Sequence, residues 1–137
     1  MTPSGDRVIV ANSGSRDLSI IDADRTSDTF HRVIASAPTG SSTRAVTVSP
    51  DGGRIFVGTE NGYLVMGALN YGVLERVNTG AATKTVTVSP DGTLLILVST
   101  QGDLAIIDIV PGSDRENQVI ATVSTTSAVK TTTVSPA

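Results

Sequence analysis

The 137-residue chain carries ten basic and thirteen acidic residues, giving a formal net charge of −3 and an isoelectric point of about 4.9. Its Lys and Arg residues stand singly, which excludes the basic stripe of a nucleic-acid binder and the polybasic patch of a membrane-surface protein. Cysteine is absent, so disulfides, thiolate metal sites and Cys nucleophiles are excluded together, and no apolar run reaches the roughly 18 residues of a membrane span.

Met1-Thr2-Pro3-Ser4-Gly5 opens the chain as an eroded copy of a turn that recurs further on. Three runs rich in aliphatic or β-branched residues follow, Arg7–Asn12, Asp17–Asp22 and Phe30–Ala35, and each predicts a strand. His31, the single histidine, falls inside the third of these, an outer strand, and is expected at the surface. A general base or metal ligand needs companions, and none stands at a useful spacing from it.

From Arg44 the pattern becomes complete. Arg44–Ser49 predicts a strand, and Ser49-Pro50-Asp51-Gly52 a type I turn, in which Pro presets φ at the second position and Gly releases the chain at the fourth. Arg54–Gly58 is apolar without alternation, as in a strand covered on both faces. Asn61-Gly62 turns into Tyr63–Ala68, and Asn70-Tyr71-Gly72 turns again into the half-polar Val73–Asn78. The same four strands return as Lys84–Ser89, Leu94–Ser99, Leu104–Val110 and Gln118–Val123, with the last hairpin lengthened through 111–117. Asp22 and Asp108 close two of the third strands, and Ala68 is read at that place in the middle unit. A lone first strand, Thr131–Ser135, ends the series.

Val-Thr-Val-Ser-Pro-Asp-Gly stands at 46–52 and again at 86–92, and the prolines Pro3, Pro50, Pro90 and Pro136 mark steps of 47, 40 and 46 residues. Self-similarity at that period signals a solenoid or propeller built of supersecondary units. Arg7 to Asp22, together with the Ser-Pro-Asp-Gly turns, resembles the YVTN-type (YncE-like) β-propeller repeat over essentially the whole chain. WD repeats share the turn, but no Trp-Asp closes a third strand and Trp is absent. The expected fold is all-β: one β-propeller segment over 1–137, made of three four-stranded antiparallel blades (about 1–46, 47–86 and 87–132) and a closing strand at 131–135. The resemblance implies export in bacteria or archaea, to the periplasm, the medium or the cell surface; it specifies no activity.

Blades close around an axis in sets of four to eight, so three leave two faces bare and the strand at Arg7–Asn12 open to strand addition. Two readings stand side by side: part of a larger ring, or half of a two-chain six-bladed ring in which Thr131–Ser135 of one copy pairs with the first blade of the other. Expected partners are therefore a protein or a second copy of the chain, with no nucleic acid and no membrane span.

Arg44, Lys84 and Lys130 precede the first strand in three successive units. In a propeller that strand lines the central channel, so the three form a candidate cationic collar for an anionic ligand or a partner's carboxylates; the alternative is a solvated strand end repeated by duplication. Asp22, Asp24 and Asp28 alternate like the start of a calcium loop, but Ser27 and Val33 stand where its glycine and bidentate glutamate belong, so no metal is expected. With one His, no Gly-x-Ser-x-Gly and no Gly-Lys-Ser/Thr ending after a glycine-rich loop, neither a hydrolase nor a phosphate-loop enzyme is supported. The expected role is a non-catalytic binding or scaffold module without a cofactor. Two alternatives remain: part of a propeller enzyme, of the lactone hydrolase or haem or quinone oxidoreductase type, with catalytic residues on other blades, and a self-assembling half-propeller or truncated gene product.

Overall fold

The computed structural model describes residues 1–68 and 70–124. Lys130 and the expected strand Thr131–Ser135 lie outside the described residues. Eleven strands form three antiparallel sheets in chain order. The first sheet holds β1 (Arg7–Asn12), β2 (Asp17–Asp22) and β3 (Val33–Pro38). The second holds β4 (Thr43–Val48), β5 (Arg54–Thr59), β6 (Gly62–Gly67) and β7 (Val73–Asn78). The third holds β8 (Thr83–Val88), β9 (Leu94–Ser99), β10 (Asp103–Asp108) and β11 (Gln118–Ser124). Each sheet is an up-and-down meander, the outcome of short hairpins between β-branched runs. Among the described residues no helix is long and apolar enough to cross a membrane.

The turn between the first two strands of a full sheet repeats closely. Gly52 N–H donates to Ser49 O at 2.9 Å, Ser49 Oγ donates to Asp51 Oδ1 at 2.5 Å, and Asp51 Oδ1 also accepts Gly53 N–H at 2.9 Å. Gly52 has φ 75°, a left-handed conformation that costs a Cβ-bearing residue more than glycine. Ser89, Asp91 and Gly92 repeat the arrangement, with Thr93 N–H donating to Asp91 Oδ1 at 3.1 Å.

The sheets stack face to face. Ile9, Leu18, Ile20 and Ala37 of the first sheet pack on Ile55, Val57, Leu64 and Met66 of the second. On the other side of the second sheet, Phe56, Tyr63 and Val65 pack on Val86, Leu95, Leu97, Ile107 and Ile109. β5 and β6 are thus covered on both faces, the reason their sequences run apolar without alternation. The strands that open the sheets lie side by side, β1 near β4 and β4 near β8, which sets β4 and β8 along one inner line.

The structure corrects two expectations from the sequence. The third strand of the first sheet is Val33–Pro38, not Phe30–Ala35. Asp22 accepts from Ser27 Oγ, Thr29 Oγ1 and Asp24 N–H, winding 23–32 into a loop; Asp22 N–H donates to Arg32 O at 2.9 Å and His31 N–H to Asp22 O at 2.8 Å. Phe30 and His31, strand-like in composition, are spent closing that loop. Pairing of Arg7 with Asp22, Arg54 with Gly67 and Leu94 with Asp108 shows that Gly67, not Ala68, occupies the aspartate's place in the middle sheet. The loop after Gly67 is short, so it has no long segment for a carboxylate to organise.

Candidate functional site

The cationic positions sit on an irregularity of the backbone. Thr43 pairs with Thr59 and Ala45 with Gly58, leaving Arg44 as the extra residue of a β-bulge. Thr83 pairs with Ser99 and Thr85 with Val98, so Lys84 is the extra residue of the same bulge one sheet later. A bulge re-aims the side chain of its unpaired residue. Both side chains reach one depression of about 450 Å³ whose lining includes Ala11 and Ser13 of the first sheet, Ser42 and Thr43 of the second, and Thr100 of the third.

Arg44 is exposed and Lys84 half-buried. The ion pairs among the described residues, Arg7 with Asp6 and Arg7 with Asp22, leave both of these cations without a carboxylate partner. Hydroxyls make up most of the remaining polar lining, so the depression offers two positive charges and several donors. That set matches a carboxylate or phosphoryl oxygen group. Lys130 lies outside the described residues, so the structure brings together two of the three expected cations.

Two threonines mark the floor of the inner line and differ from each other. Thr83 Oγ1 donates to Gly62 O at 2.7 Å. Thr43, at the same place in the second sheet and only 1% exposed, has a buried Oγ1 with no hydrogen-bond partner among the described residues. Gly58 gives Thr83 its room, since a Cβ there would come within 2.6 Å of Thr83 Cγ2. At the place of Gly58 the first sheet has Ala11, which carries a Cβ. Nothing in the local sequence around Thr43 marks this hydroxyl, which has no partner among the described residues.

The acidic loop is a self-contained hydrogen-bonded unit. Asp22 is 2% exposed, and its acceptors are taken up by Ser27, Thr29 and the Asp24 amide. These bonds, Ser27 first, then Thr29 and the Asp24 amide, with Arg7 at 3.4 Å adding to them, hold its carboxyl at about 2. Asp24 Oδ1 accepts Thr26 N–H at 2.9 Å and Thr26 Oγ1 at 2.7 Å, and its carboxyl is likewise held low. No grouping of three His, Cys, Asp or Glu side chains suited to a metal ion occurs among the described residues. Asp108 does the same local work in the third sheet, accepting from Val110 N–H at 2.9 Å and Ser113 Oγ at 3.1 Å.

His31 is exposed, in the left-handed region at φ 70°, with its ring 3.6 Å from that of Phe30. Tyr71 and Asn117, at φ 57° and 61°, hold the matching position in the other two sheets, each just before the outer strand. Each donates its N–H to the last residue of the third strand, Tyr71 to Gly67 O at 3.0 Å and Asn117 to Asp108 O at 2.6 Å. This series is invisible in the sequence because His, Tyr and Asn share no side-chain chemistry.

Stacked meanders, one of three strands and two of four, with inner strands along one line and repeated turns at one rim, make this an all-β segment of a β-propeller, with each sheet a blade. Solved structures of propeller proteins agree. Hydrazine synthase of Kuenenia stuttgartiensis superposes with a TM-score of 0.78 at 19% identity, over 93% of this chain and 35% of that one. Dihydro-heme d1 dehydrogenase NirN, in complex with DHE, superposes with a TM-score of 0.65 at 22% identity, over 90% of this chain and 25% of that one. The chain therefore spans about a third or less of either protein. No protein-family model and no curated protein sequence matches it.

Proposed function

We propose that the chain is a non-catalytic binding or scaffold module of a propeller, of the YVTN (YncE-like) kind, in which the mouth of the inner channel takes up an anionic group of a small ligand or protein partner. The observation that carries this reading is the placement of Arg44 and Lys84 on equivalent bulges beside one hydroxyl-lined depression, with no carboxylate paired to either among the described residues. Pre-set charges at a concave site hold an anion without the cost of breaking an existing ion pair. The acidic loop has no comparable claim, because Asp22 and Asp24 are engaged in holding their own hairpin. The family resemblance adds an exported, bacterial or archaeal setting to this proposal.

Inorganic phosphate is a sufficient probe. Titrated into the isotopically labelled chain, it is expected to shift the amide signals of Ser42–Ala45 and Lys84 saturably in the millimolar range, and the double variant Arg44→Glu, Lys84→Glu is expected to lose those shifts. Equal shifts in the variant, or none in the unaltered chain, would remove the anion site from the reading.

A second reading rests on the two similar structures, a hydrazine synthase and a dihydro-heme d1 dehydrogenase. In it the chain supplies blades of a larger enzyme whose catalytic groups stand on blades outside these three. Haem absorbance or lactone hydrolysis appearing only when flanking sequence is expressed with this chain would favour that reading over the first.

A further inference from the structure

The two outward faces of the segment are halves of a contact that the chain already makes twice. On β1 and β2 of the first blade, Val8, Val10 and Ile21 occupy the places that Ile55, Val57 and Met66 hold in the second blade and Leu95, Leu97 and Ile107 in the third. Val57 is fully buried against the preceding blade, whereas Val10 is 37% exposed. At the other end, Val123 pairs with Leu104 as Ala37 pairs with Leu18. Ala37 is 2% exposed beneath the second blade, while Val123 is 51% exposed.

The left-handed series points the same way. Asn117 reaches back to the second blade, where its Oδ1 accepts from Tyr63 Oη at 3.2 Å and its amide donates to Glu75. Tyr71 reaches back to the first blade and packs against the core it shares with the second. His31 holds the same position in the first blade, on the side where no blade precedes it among the described residues.

We infer that these faces bind each other between copies: the face of Val8, Val10 and Ile21 in one chain packs on the face carrying Leu104 and Val123 in a second chain, and the reverse, closing a two-copy ring. The occupant is a second copy because each exposed face repeats, position by position, a face already buried inside the chain, so the complementary surface is present on the same molecule. Head-to-tail contacts of this kind close when the rotation allows and bury every hydrophobic face. Contiguous apolar surface left exposed on a soluble protein marks an interaction site.

Among the described residues no strand pairs with β1 on the side away from β2, and the turn before β1 follows the repeat. Thr2 N–H donates to Arg7 O at 2.9 Å and Arg7 N–H to Thr2 Oγ1 at 3.2 Å. These reproduce the bonds of Ser49 with Arg54 (2.9 and 3.0 Å) and of Ser89 with Leu94 (2.9 and 3.0 Å). Thr2 thus holds the turn serine's seat in the first blade.

The test is sedimentation velocity on the full 137-residue chain over a wide concentration range. A dimer is expected, with Val10→Glu and Val123→Glu each raising its dissociation constant about a hundredfold or more, as a charge is buried without a partner. An equimolar mixture of the two variants is expected to regain a dimer, because the unaltered Val123 face of one chain meets the unaltered Val10 face of the other. Thermal unfolding of each variant establishes that it is folded, and Val10→Ser and Val123→Ser replace any that is not. A monomer at all concentrations, oligomers growing past two copies, or variants that dimerise as tightly as the unaltered chain would each overturn the inference. Arg44→Glu with Lys84→Glu is expected to leave the dimer unchanged, so this contact and the proposed anion site fail separately.

Discussion

The junction between the first and second blades and that between the second and third are built on one repeat, yet they are held differently. In the first, aliphatic side chains meet: Ile9, Leu18 and Ile20 lie against Ile55, Val57, Leu64 and Met66. Its polar stitch comes from the outer strand, where Arg76 donates to Thr39 O in the link between blades and to Ser41 Oγ at 3.4 Å. In the second, Phe56 and Tyr63 bring rings to the packing, and the stitch comes from a loop, with Asn117 joining Tyr63 to Glu75. Burial and then the nearby carboxylates of Glu75 and Glu116 push the Tyr63 hydroxyl well above its ordinary value, so it remains a donor throughout the usual pH range. The repeat decides which positions face each other. The stitches come from outer strands and loops, where copies of a repeat diverge most freely.

The largest test of this difference compares Phe56→Ala with Ile9→Ala, since Ile9 and Phe56 hold equivalent positions on their strands. Loss of the fully buried ring is expected to cost about 3–5 kcal/mol in urea unfolding, and loss of the smaller Ile9 side chain about 2–3 kcal/mol. Equal losses would mean that the ring adds nothing particular to the second junction.

A smaller effect carries a difference of sign. Thr43→Val removes a buried hydroxyl that has no partner among the described residues and is expected to stabilise by about 1 kcal/mol. Thr83→Val removes the donor to Gly62 O and is expected to destabilise by about 1 kcal/mol. Changes of the same sign, measured by urea unfolding, would show that Thr43 finds a partner in solution.

The smallest effect lies in the acid limb. Asp22 has its carboxyl held at about 2 against an ordinary 3.8, so its stabilising contribution is complete above the higher value and disappears as pH falls through the lower one. Asp22→Asn is therefore expected to melt below the unaltered chain at neutral pH, with the gap narrowing as pH falls from 3.8 towards about 2. A gap that stays constant across that window would show that charge on Asp22 is not what holds the loop.

Much of the architecture was legible in the residues. Two identical heptapeptides announced the repeat, and the unbroken apolar runs at Ile55–Val57 and Leu95–Val98 announced strands covered on both sides. Where the structure differs, a side chain holding its own loop or the pairing of a neighbouring strand decided the outcome. Phe30 and His31 have the composition of a strand, and only the grip of Asp22 on Ser27 and Thr29 turns them into the end of a loop. Gly67 took the aspartate's place because pairing with Arg54, not spacing from the turn, fixes the end of the strand. At the candidate site the sequence showed that cations recur before the inner strands. It did not show that Arg44 and Lys84 ride on bulges and share one depression.

The sequence by itself determined the repeat, the strand content and the turn chemistry, because these depend on backbone preferences and alternation within a few residues of one another. Only the tertiary structure decided which side chains from different blades meet. The orphan hydroxyl of Thr43, the bridge through Asn117 and the common aim of Arg44 and Lys84 each depend on two or three blades. Those meetings follow from how the sheets stack and where a bulge or a missing Cβ shifts the backbone, and such distances are not written in local order along the chain.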